Sequence, residues 1–222
     1  MSLDEAIERL EKLVTEVRQA SLTDDKTTLG SALALRQEER LINEGASDFN
    51  VIVFGDLNGF KQLNDDHTHD AGDVALNSVG EIIRKLVIDD LKAKAFRQGG
   101  DEFVILLRQD SVEEFLSVTA SLGNILFSHK EKGLKTAMSF GFALSDGKTS
   151  FSDLLERAEV ACQYAKAQGD GECVKWTDEL ELDPLIRKGG RCQKCGARIS
   201  CNVSRQNAPK ELKCCPCCGE AL

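Results

Sequence analysis

Three carboxylates stand close to glycines or at the end of an apolar run, where a metal ion could be bound. Asp101 and Glu102 follow the pair Gly99-Gly100 and precede the apolar run FVILL, and Asp56 ends the run FNVIVFGD. Two glycines allow a tight turn and a close backbone approach to a ligand. Neighbouring carboxylates with no basic partner in the local sequence repel each other, and a cation relieves that repulsion. This set favours Mg²⁺ or Mn²⁺, which also bind substrate phosphates.

The segments around these acids predict the elements that position them. AKAFRQ and EFVILL flank the glycine pair and predict a β-hairpin. FNVIVFGDL (49–57) is continuously apolar and rich in β-branched residues, which predicts a buried strand. If this strand pairs next to the hairpin, Asp56 and Asp101 meet at one edge of a sheet.

Periodic patterns predict the other elements. Helices are predicted over residues 2–20, 29–43, 73–87, 111–127 and 150–169, and strands over 135–144 and at ECVKW. The polar segment 59–73 predicts a short helical turn at most. Alternation of strands and helices over 22–177 favours one α/β domain.

The charge of the 222-residue chain is −9, which argues against nucleic acid or a membrane surface as a partner of the whole molecule. Residues 183–222 hold eight basic and three acidic side chains, or +5, and residues 1–182 carry −14. This asymmetry predicts two parts with different roles. The sequence has neither a membrane-length apolar run nor a secretory leader, so we expect a cytoplasmic protein.

Cysteines are concentrated near the C-terminus, where seven of the nine occur. CQKCG and CPCCG form the spacing C-x2-C-x19-C-x2-C, which fits a structural Zn²⁺ site in a zinc ribbon. The favoured ligands are Cys192, Cys195, Cys215 and Cys218. Cys214 and Cys217 have the same x2 spacing, so the register stays open, and Cys201 is a weaker alternative. A redox-active tail without zinc is the competing hypothesis.

Several motifs together resemble the GGDEF domain of diguanylate cyclases. FGDLNGFKQLNDDHTHDAGD (54–73) is similar to a strand ending in Asp, then D-x-x-x-F-K-x-x-N-D and G-H-x-x-G-D. RQGGDEF (97–103) matches R-x-G-G-D-E-F, and MSFGFA (138–143) and RAEVACQYAKAQG (157–169) match later motifs. The resemblance covers residues 20–177. It implies an α+β palm-like sheet, shared with nucleotidyl cyclases, that condenses two GTP into cyclic di-GMP and pyrophosphate.

The resemblance also implies a role for each matching residue. The divalent metals would be bound by the carboxylates of Asp56 and Asp101 and by the backbone carbonyl of Leu57. Glu102 would complete the catalytic acids and help to activate the 3′-hydroxyl. The phosphates would be bound by the backbone amides of Gly59, Phe60 and Lys61 and by the side chain of Lys166. The guanine edge would be read by Asn64 and Asp73.

The chain departs from the family pattern at three places. The family run D-x-L-T-G-L-x-N-R-R corresponds to DDKTTLGSALAL (24–35), where an Asp, a Thr and Leu29 match. Asp170 follows Gly169 where the family has a phosphate-binding arginine. The inhibitory product motif R-x-x-D falls on Asp90 and Ala93, so we expect no product inhibition through that site.

We therefore predict four segments: an N-terminal helix (1–21), a GGDEF domain (22–177), a linker (178–190) and a zinc ribbon (191–222). Catalysis in this family needs two facing domains, so we expect a homodimer paired through the N-terminal helix. The ribbon would dock a protein partner. The alternative function is a catalytically weak GGDEF-like module that binds GTP or a protein partner in signalling, which Asp170 and the altered N-terminal motif favour.

Overall fold

The computed structural model describes residues 3–67, 69–130, 132–168, 171–181, 190–191 and 198–199. In this part of the chain the helices are α1 (Leu3–Ser21), α2 (Ala32–Asn43), α3 (Phe60–His67), α4 (His69–Ile83), α5 (Val112–Leu122), α6 (Phe151–Gln168) and α7 (Asp178–Glu181). The strands are β1 (Val51–Leu57), β2 (Lys94–Gly99), β3 (Glu102–Leu107), β4 (Ile125–His129), β5 (Lys132–Thr136), β6 (Met138–Leu144), β7 (Cys173–Lys175), β8 (Gly190–Arg191) and β9 (Arg198–Ile199). None of these helices is both long and apolar enough to cross a membrane.

The central sheet has the strand order β2-β3-β1-β6-β7. β1 is antiparallel to both β3 and β6, and β7 is parallel to β6. Because alternate residues of a strand point to opposite faces, Val51 and Val53 enter one core cluster and Ile52 and Phe54 another. Helices α4 and α5 cover the first face, and α2 and α6 cover the second. The prediction of a buried β1 is confirmed.

The predicted hairpin is also confirmed, since β2 and β3 pair in antiparallel register. The register shifts between Arg97 and Gly99, and Gly100 has a φ of 53°. A left-handed backbone of this kind favours glycine, so the glycine pair forms the turn that the sequence predicted.

The prediction for segment 59–73 is wrong, because α3 occupies most of it and α4 already begins at His69. Polar residues cover the exposed side of these helices, whereas Ala71, Gly72 and Ala75 are buried. Gly72 allows α4 to pack closely against Asn64 and Phe60 of α3, and tertiary packing of this kind stabilises a helix whose sequence is polar.

Two further boundaries differ from prediction. The helix predicted over 111–127 ends at Leu122, and a separate hairpin of β4 and β5 follows. Gly123 ends the helix, after which Ile125 and Phe127 are buried and Leu126 is exposed, the two-residue period of a strand. The single strand predicted over 135–144 is therefore two strands, β5 and β6, which belong to different sheets.

The altered N-terminal motif still packs against the domain. Leu29 and Thr27 are each 1% exposed. The Gly30 amide donates to the Ala95 carbonyl at 3.0 Å, and the Arg97 amide donates to the Gly30 carbonyl at 2.8 Å. These backbone bonds of Gly30 fix the segment to the edge strand β2, although only three residues match the family motif.

Thr28 carries backbone strain at the position where the family pattern has glycine. Its φ is 58°, and a β-branched residue is disfavoured there. We expect Thr28→Gly to raise the free energy of unfolding by about 1 kcal/mol, measured by urea denaturation. Thr28→Ala keeps the left-handed backbone and loses the hydroxyl that accepts from Arg84 Nη2 at 2.9 Å, so it should not stabilise. A destabilised glycine variant would contradict the expected strain.

Candidate active site

The three catalytic acids predicted from the sequence meet at one edge of the central sheet. Asp56 lies directly opposite Glu102 in the pairing of β1 with β3. The Leu57 amide donates to the Asp101 carbonyl at 3.2 Å. The juxtaposition follows from the sequence, because the end of one buried strand is paired with the turn of the neighbouring hairpin.

Burial makes the charged form of these acids costly. The pKa of Asp56 is raised to about 6 in total: desolvation is the largest cause, the ammonium of Lys166 opposes the rise, and the negative charges of Asp101 and Glu102 add to it. Desolvation likewise raises the pKa of Asp101, against the opposing effects of Lys166 and Arg97. Two desolvated carboxylates at one edge form a site that a cation would stabilise.

Lys166, in the last turn of α6, donates from its ammonium to Asp56 Oδ1. The family motif predicts this lysine at the phosphates, and the local sequence predicts no basic partner for the acids. The partner is 110 residues away in the chain, so a local pattern could not reveal it. In the structure the ammonium therefore already neutralises part of the acidic edge.

Arg97 holds the glycine turn in place. Its Nε donates to the Gly100 carbonyl at 2.9 Å, and its Nη1 donates to Asp24 Oδ2 at 3.1 Å. Asp24 Oδ1 also accepts from the Thr27 amide at 2.8 Å and from Thr27 Oγ1 at 2.7 Å. The turn that carries Asp101 is thus tied to the N-terminal motif.

The predicted phosphate-binding residues lie at the start of α3, directly after β1. Gly59 has a φ of 68°, and its carbonyl accepts from the Leu63 amide at 2.9 Å. Phe60 and Lys61 form the first turn, where helix N–H groups have no partner within the helix. Backbone amides therefore stand beside the acidic edge.

The two predicted guanine-reading residues lie on consecutive helices, Asn64 on α3 and Asp73 on α4. Asn64 Oδ1 is buried and finds no hydrogen-bond partner among the residues described. Asp73 Oδ2 accepts from Lys26 Nζ at 2.5 Å. Lys26 was not among the residues predicted for the site. The feature of the sequence that could have indicated it is the presence of a lysine where the N-terminal family motif has leucine.

Gly72 makes room for the Asn64 side chain. A Cβ at this position would lie 2.1 Å from Asn64 Oδ1 and 3.1 Å from Phe60 Cζ. Because both contacts are ends of side chains, Gly72→Ala should leave α4 folded and turn the Asn64 amide away.

If Asn64 binds guanine as the family resemblance implies, Gly72→Ala should raise the KM for GTP about tenfold, the size of one lost hydrogen bond, with little change in Tm. Asn64→Ala should have a similar effect, and the double variant should show no further loss. A lower Tm with an unchanged KM would contradict this account.

The raised pKa of Asp56 predicts a pH dependence of stability. Its folded pKa of about 6 exceeds the ordinary 3.8, so the folded state holds this proton more tightly than the unfolded chain. The stabilisation is full below pH 3.8 and is lost as the pH rises through about 6.

In EDTA, the wild type should therefore lose about 2–3 kcal/mol more unfolding free energy between pH 4 and pH 7 than Asp56→Asn does. Urea denaturation at the two pH values measures the difference. Equal losses in the two proteins would show that Asp56 ionises without a desolvation cost.

Some predicted residues lie outside the described part of the chain. These are Gly169, Asp170 and the cysteines Cys192, Cys195, Cys201, Cys214, Cys215, Cys217 and Cys218. In the described part, no three His, Cys, Asp or Glu side chains are arranged to bind one ion together. The acidic edge offers two carboxylates and a backbone carbonyl, hard oxygen donors that suit Mg²⁺ when phosphate or water oxygens complete the shell.

Comparison with known proteins supports the motif analysis. The sequence profile of the family described as "Diguanylate cyclase, GGDEF domain" matches residues 4–172. The diguanylate cyclase DgcP of Pseudomonas aeruginosa is 32% identical over 179 residues, which are 76% of this chain and 26% of that protein. The bifunctional diguanylate cyclase/cyclic di-GMP phosphodiesterase MucR of the same organism is 32% identical over 167 residues, 72% and 22% of the two chains. The chain thus spans about a quarter of the length of these relatives.

Solved structures show the same fold. The diguanylate cyclase SiaD of P. aeruginosa, solved with its activator SiaC, has a TM-score of 0.65 at 26% identity and covers 78% of this chain and 68% of its own. The coiled coil and GGDEF domain of DgcB from Caulobacter crescentus has a TM-score of 0.65 at 23% identity, covering 78% and 94%. The predicted palm-like α/β fold is confirmed. With matching motifs at a shared sheet edge, the chain belongs to the diguanylate cyclase GGDEF domain family.

Proposed function

We propose that the protein is a diguanylate cyclase, which condenses two GTP molecules into cyclic di-GMP and releases pyrophosphate. The observation that carries this proposal is the pair of partly buried acids Asp56 and Asp101, which meet beside the backbone amides at the start of α3. Their pKa values are raised by burial, as expected of carboxylates that are retained for a cation.

The proposed metal ligands are the carboxylates of Asp56 and Asp101 and the backbone carbonyl of Leu57. Bound Mg²⁺ or Mn²⁺ would align the phosphate groups and neutralise charge that develops on the α-phosphate. Glu102, opposite Asp56 in the sheet, would accept the proton of the attacking 3′-hydroxyl. The ammonium of Lys166, already at this edge, would donate to the terminal phosphate oxygens.

The other proposed contacts orient the nucleotide. The amides of Gly59, Phe60 and Lys61 would donate to the β- and γ-phosphates. Asn64 and Asp73 would bind the guanine edge, because a carboxylate accepts from the N1–H and N2–H groups that adenine lacks. We propose a cytoplasmic location, where GTP would be available to the reaction.

The test is to incubate the purified protein with GTP and Mg²⁺ or Mn²⁺ and to identify products by mass spectrometry. Cyclic di-GMP from the wild type and none from Asp101→Ala would support the proposal. GTP binding without product would favour a signalling module that binds nucleotide, the alternative that Asp170 suggests. Absence of both binding and product would contradict both functions.

We propose that two copies pair through α1, because condensation of two GTP requires two facing sites. Apolar side chains recur every three or four residues along this helix and are 45–63% exposed: Ile7, Leu10, Leu13, Val14 and Val17. Such a stripe fits a helix pair. Leu10→Glu/Val17→Glu should convert dimer to monomer in analytical ultracentrifugation and abolish turnover while leaving Tm unchanged. A wild-type monomer that produces cyclic di-GMP at full rate would contradict this pairing.

We further propose that residues 191–222 form a zinc ribbon that docks a protein partner, with the linker at 178–190 joining it to the domain. The support is the C-x2-C-x19-C-x2-C spacing. Elemental analysis should find one zinc per chain, and Cys192→Ser/Cys195→Ser should lose it. Zinc-free protein with reversible disulfides would favour the redox-active tail instead.

A further inference from the structure

Lys26 contacts the carboxylate proposed to read guanine. Its Nζ lies 2.5 Å from Asp73 Oδ2, and the two side chains are 42% and 47% exposed. The family pattern D-x-L-T-G-L has leucine at this position, so the ion pair is a feature of this chain. An ammonium next to the base-reading carboxylate adds donors to a site that would otherwise offer an acceptor.

Neighbouring contacts hold Lys26 at this place. The turn that contains it is closed by the hydrogen bonds of Asp24 with Thr27 and with Arg97. Thr27 in turn lies against α4, since a Cβ at Gly80 would be 2.3 Å from the Thr27 carbonyl oxygen.

The turn that contains Lys26 packs along one face of α4. Asp73 and Gly80 of α4 and Arg84, the first residue of the π-helical segment Arg84–Asp89 that continues α4, are spaced by seven and four residues, which places them on the same side. They contact Lys26, Thr27 and Thr28 respectively. The residues before and after Lys26 in the sequence, Asp24 and Thr27, are therefore fixed by their own contacts, and they hold the lysine against Asp73.

We propose that Lys26 is a specificity-determining residue, whose ammonium donates to guanine O6 while Asp73 accepts from N1–H and N2–H. The inference rests on the proposed function. O6 is adjacent to N1 on the ring, so a donor bonded to the carboxylate that accepts N1–H lies next to O6. Adenine presents an amino group and an unprotonated nitrogen there, and both conflict with this pair. The hydrogen bond to Asp73 raises the pKa of Lys26, which keeps it charged.

The test compares binding of GDP and 6-thio-GDP in the presence of Mg²⁺ by isothermal titration calorimetry. GDP lacks a pyrophosphate leaving group, so no turnover interferes, and the thio analogue keeps N1–H and N2–H while its sulfur is a weak acceptor. We expect the wild type to prefer GDP about tenfold. Lys26→Met should lose this preference, and Lys26→Arg, which retains a donor, should keep it.

Lys148→Met is the matched control, because Lys148 is exposed in the loop at the opposite end of β6 and should not alter the preference. A wild-type preference that survives in Lys26→Met would overturn the inference. So would equally tighter binding of both nucleotides by Lys26→Met, which would mean that the lysine only blocks Asp73. A wild type that binds GDP no better than ADP would overturn the proposed function as well.

Discussion

Asp101→Asn is expected to lower the rate of cyclic di-GMP formation about a thousandfold and, at pH 7 in EDTA, to raise the Tm. The two effects have one cause. Burial raises the pKa of Asp101, so its charge costs folding free energy at neutral pH when no cation is bound. Asparagine has the same shape without the charge. The proposed reaction, in contrast, requires the charge, so stability and activity should change in opposite directions.

The matched control for this variant is Asp146→Asn. Asp146 lies in the loop between β6 and α6, at the opposite end of β6 from the acidic edge. The Thr149 and Lys148 amides donate to its Oδ1 at 2.8 Å and 2.9 Å, and these bonds hold its pKa at about 2. Its charge therefore stabilises the fold above its ordinary pKa, and this stabilisation is lost as the pH falls.

Asp146→Asn should lower the Tm at pH 7 and leave the rate unchanged, the reverse of Asp101→Asn in both measurements. Thermal melts and initial rates on the same preparations provide the comparison. An Asp101→Asn protein that is less stable and still active would identify Asp101 as a structural residue of the turn and contradict its role as a metal ligand.

Local sequence patterns predicted the acidic edge because both strands that form it are continuous apolar runs. β1 and β3 are buried along most of their length, and the glycine pair marks the turn before Asp101. Once β1 is placed next to the hairpin, antiparallel pairing brings Asp56 opposite Glu102. The signals for each strand and for the turn lie within short windows, and only the pairing of β1 with β3 had to be assumed.

Contacts between distant residues could not be predicted in the same way. Lys166 reaches Asp56 only because α6 packs across the sheet, and Lys26 reaches Asp73 because the N-terminal motif folds onto α4. Helix α3 and the start of α4, before residue 73, were missed for a related reason. α3 has no buried residue, so its polar sequence lacks the apolar face that marks a helix, and its helical structure depends on packing against α4.

Gly141 sets the distance between α6 and the sheet, and α6 carries Lys166. A Cβ at Gly141 would lie 2.0 Å from the Cys162 nitrogen and 2.2 Å from the Ala158 carbonyl oxygen. The facing helix residues Ala158 and Ala161 are fully buried. Because the obstructing atoms are backbone, a methyl group cannot be accommodated by a side-chain rotation, and the whole helix must move outward.

We expect Gly141→Ala to lower the free energy of unfolding by about 3 kcal/mol in urea denaturation. The displaced helix should also draw Lys166 away from Asp56, whose pKa the ammonium now lowers. The carboxyl pKa of Asp56, followed by NMR, should then rise above about 6. A Lys166→Met variant should raise this pKa without the large loss of stability, which separates the position of the lysine from the packing of the helix.

Gly133→Ala is the control for the glycine itself, since Gly133 also lies in a strand and a Cβ there meets nothing within 4 Å among the residues described. Removing this glycine should change stability little or raise it slightly, because alanine restricts the unfolded chain. If Gly141→Ala were as stable as Gly133→Ala, α6 could shift without cost. The position of Lys166 at the acidic edge would then depend on its ion pair with Asp56 and not on the close packing of α6 against β6.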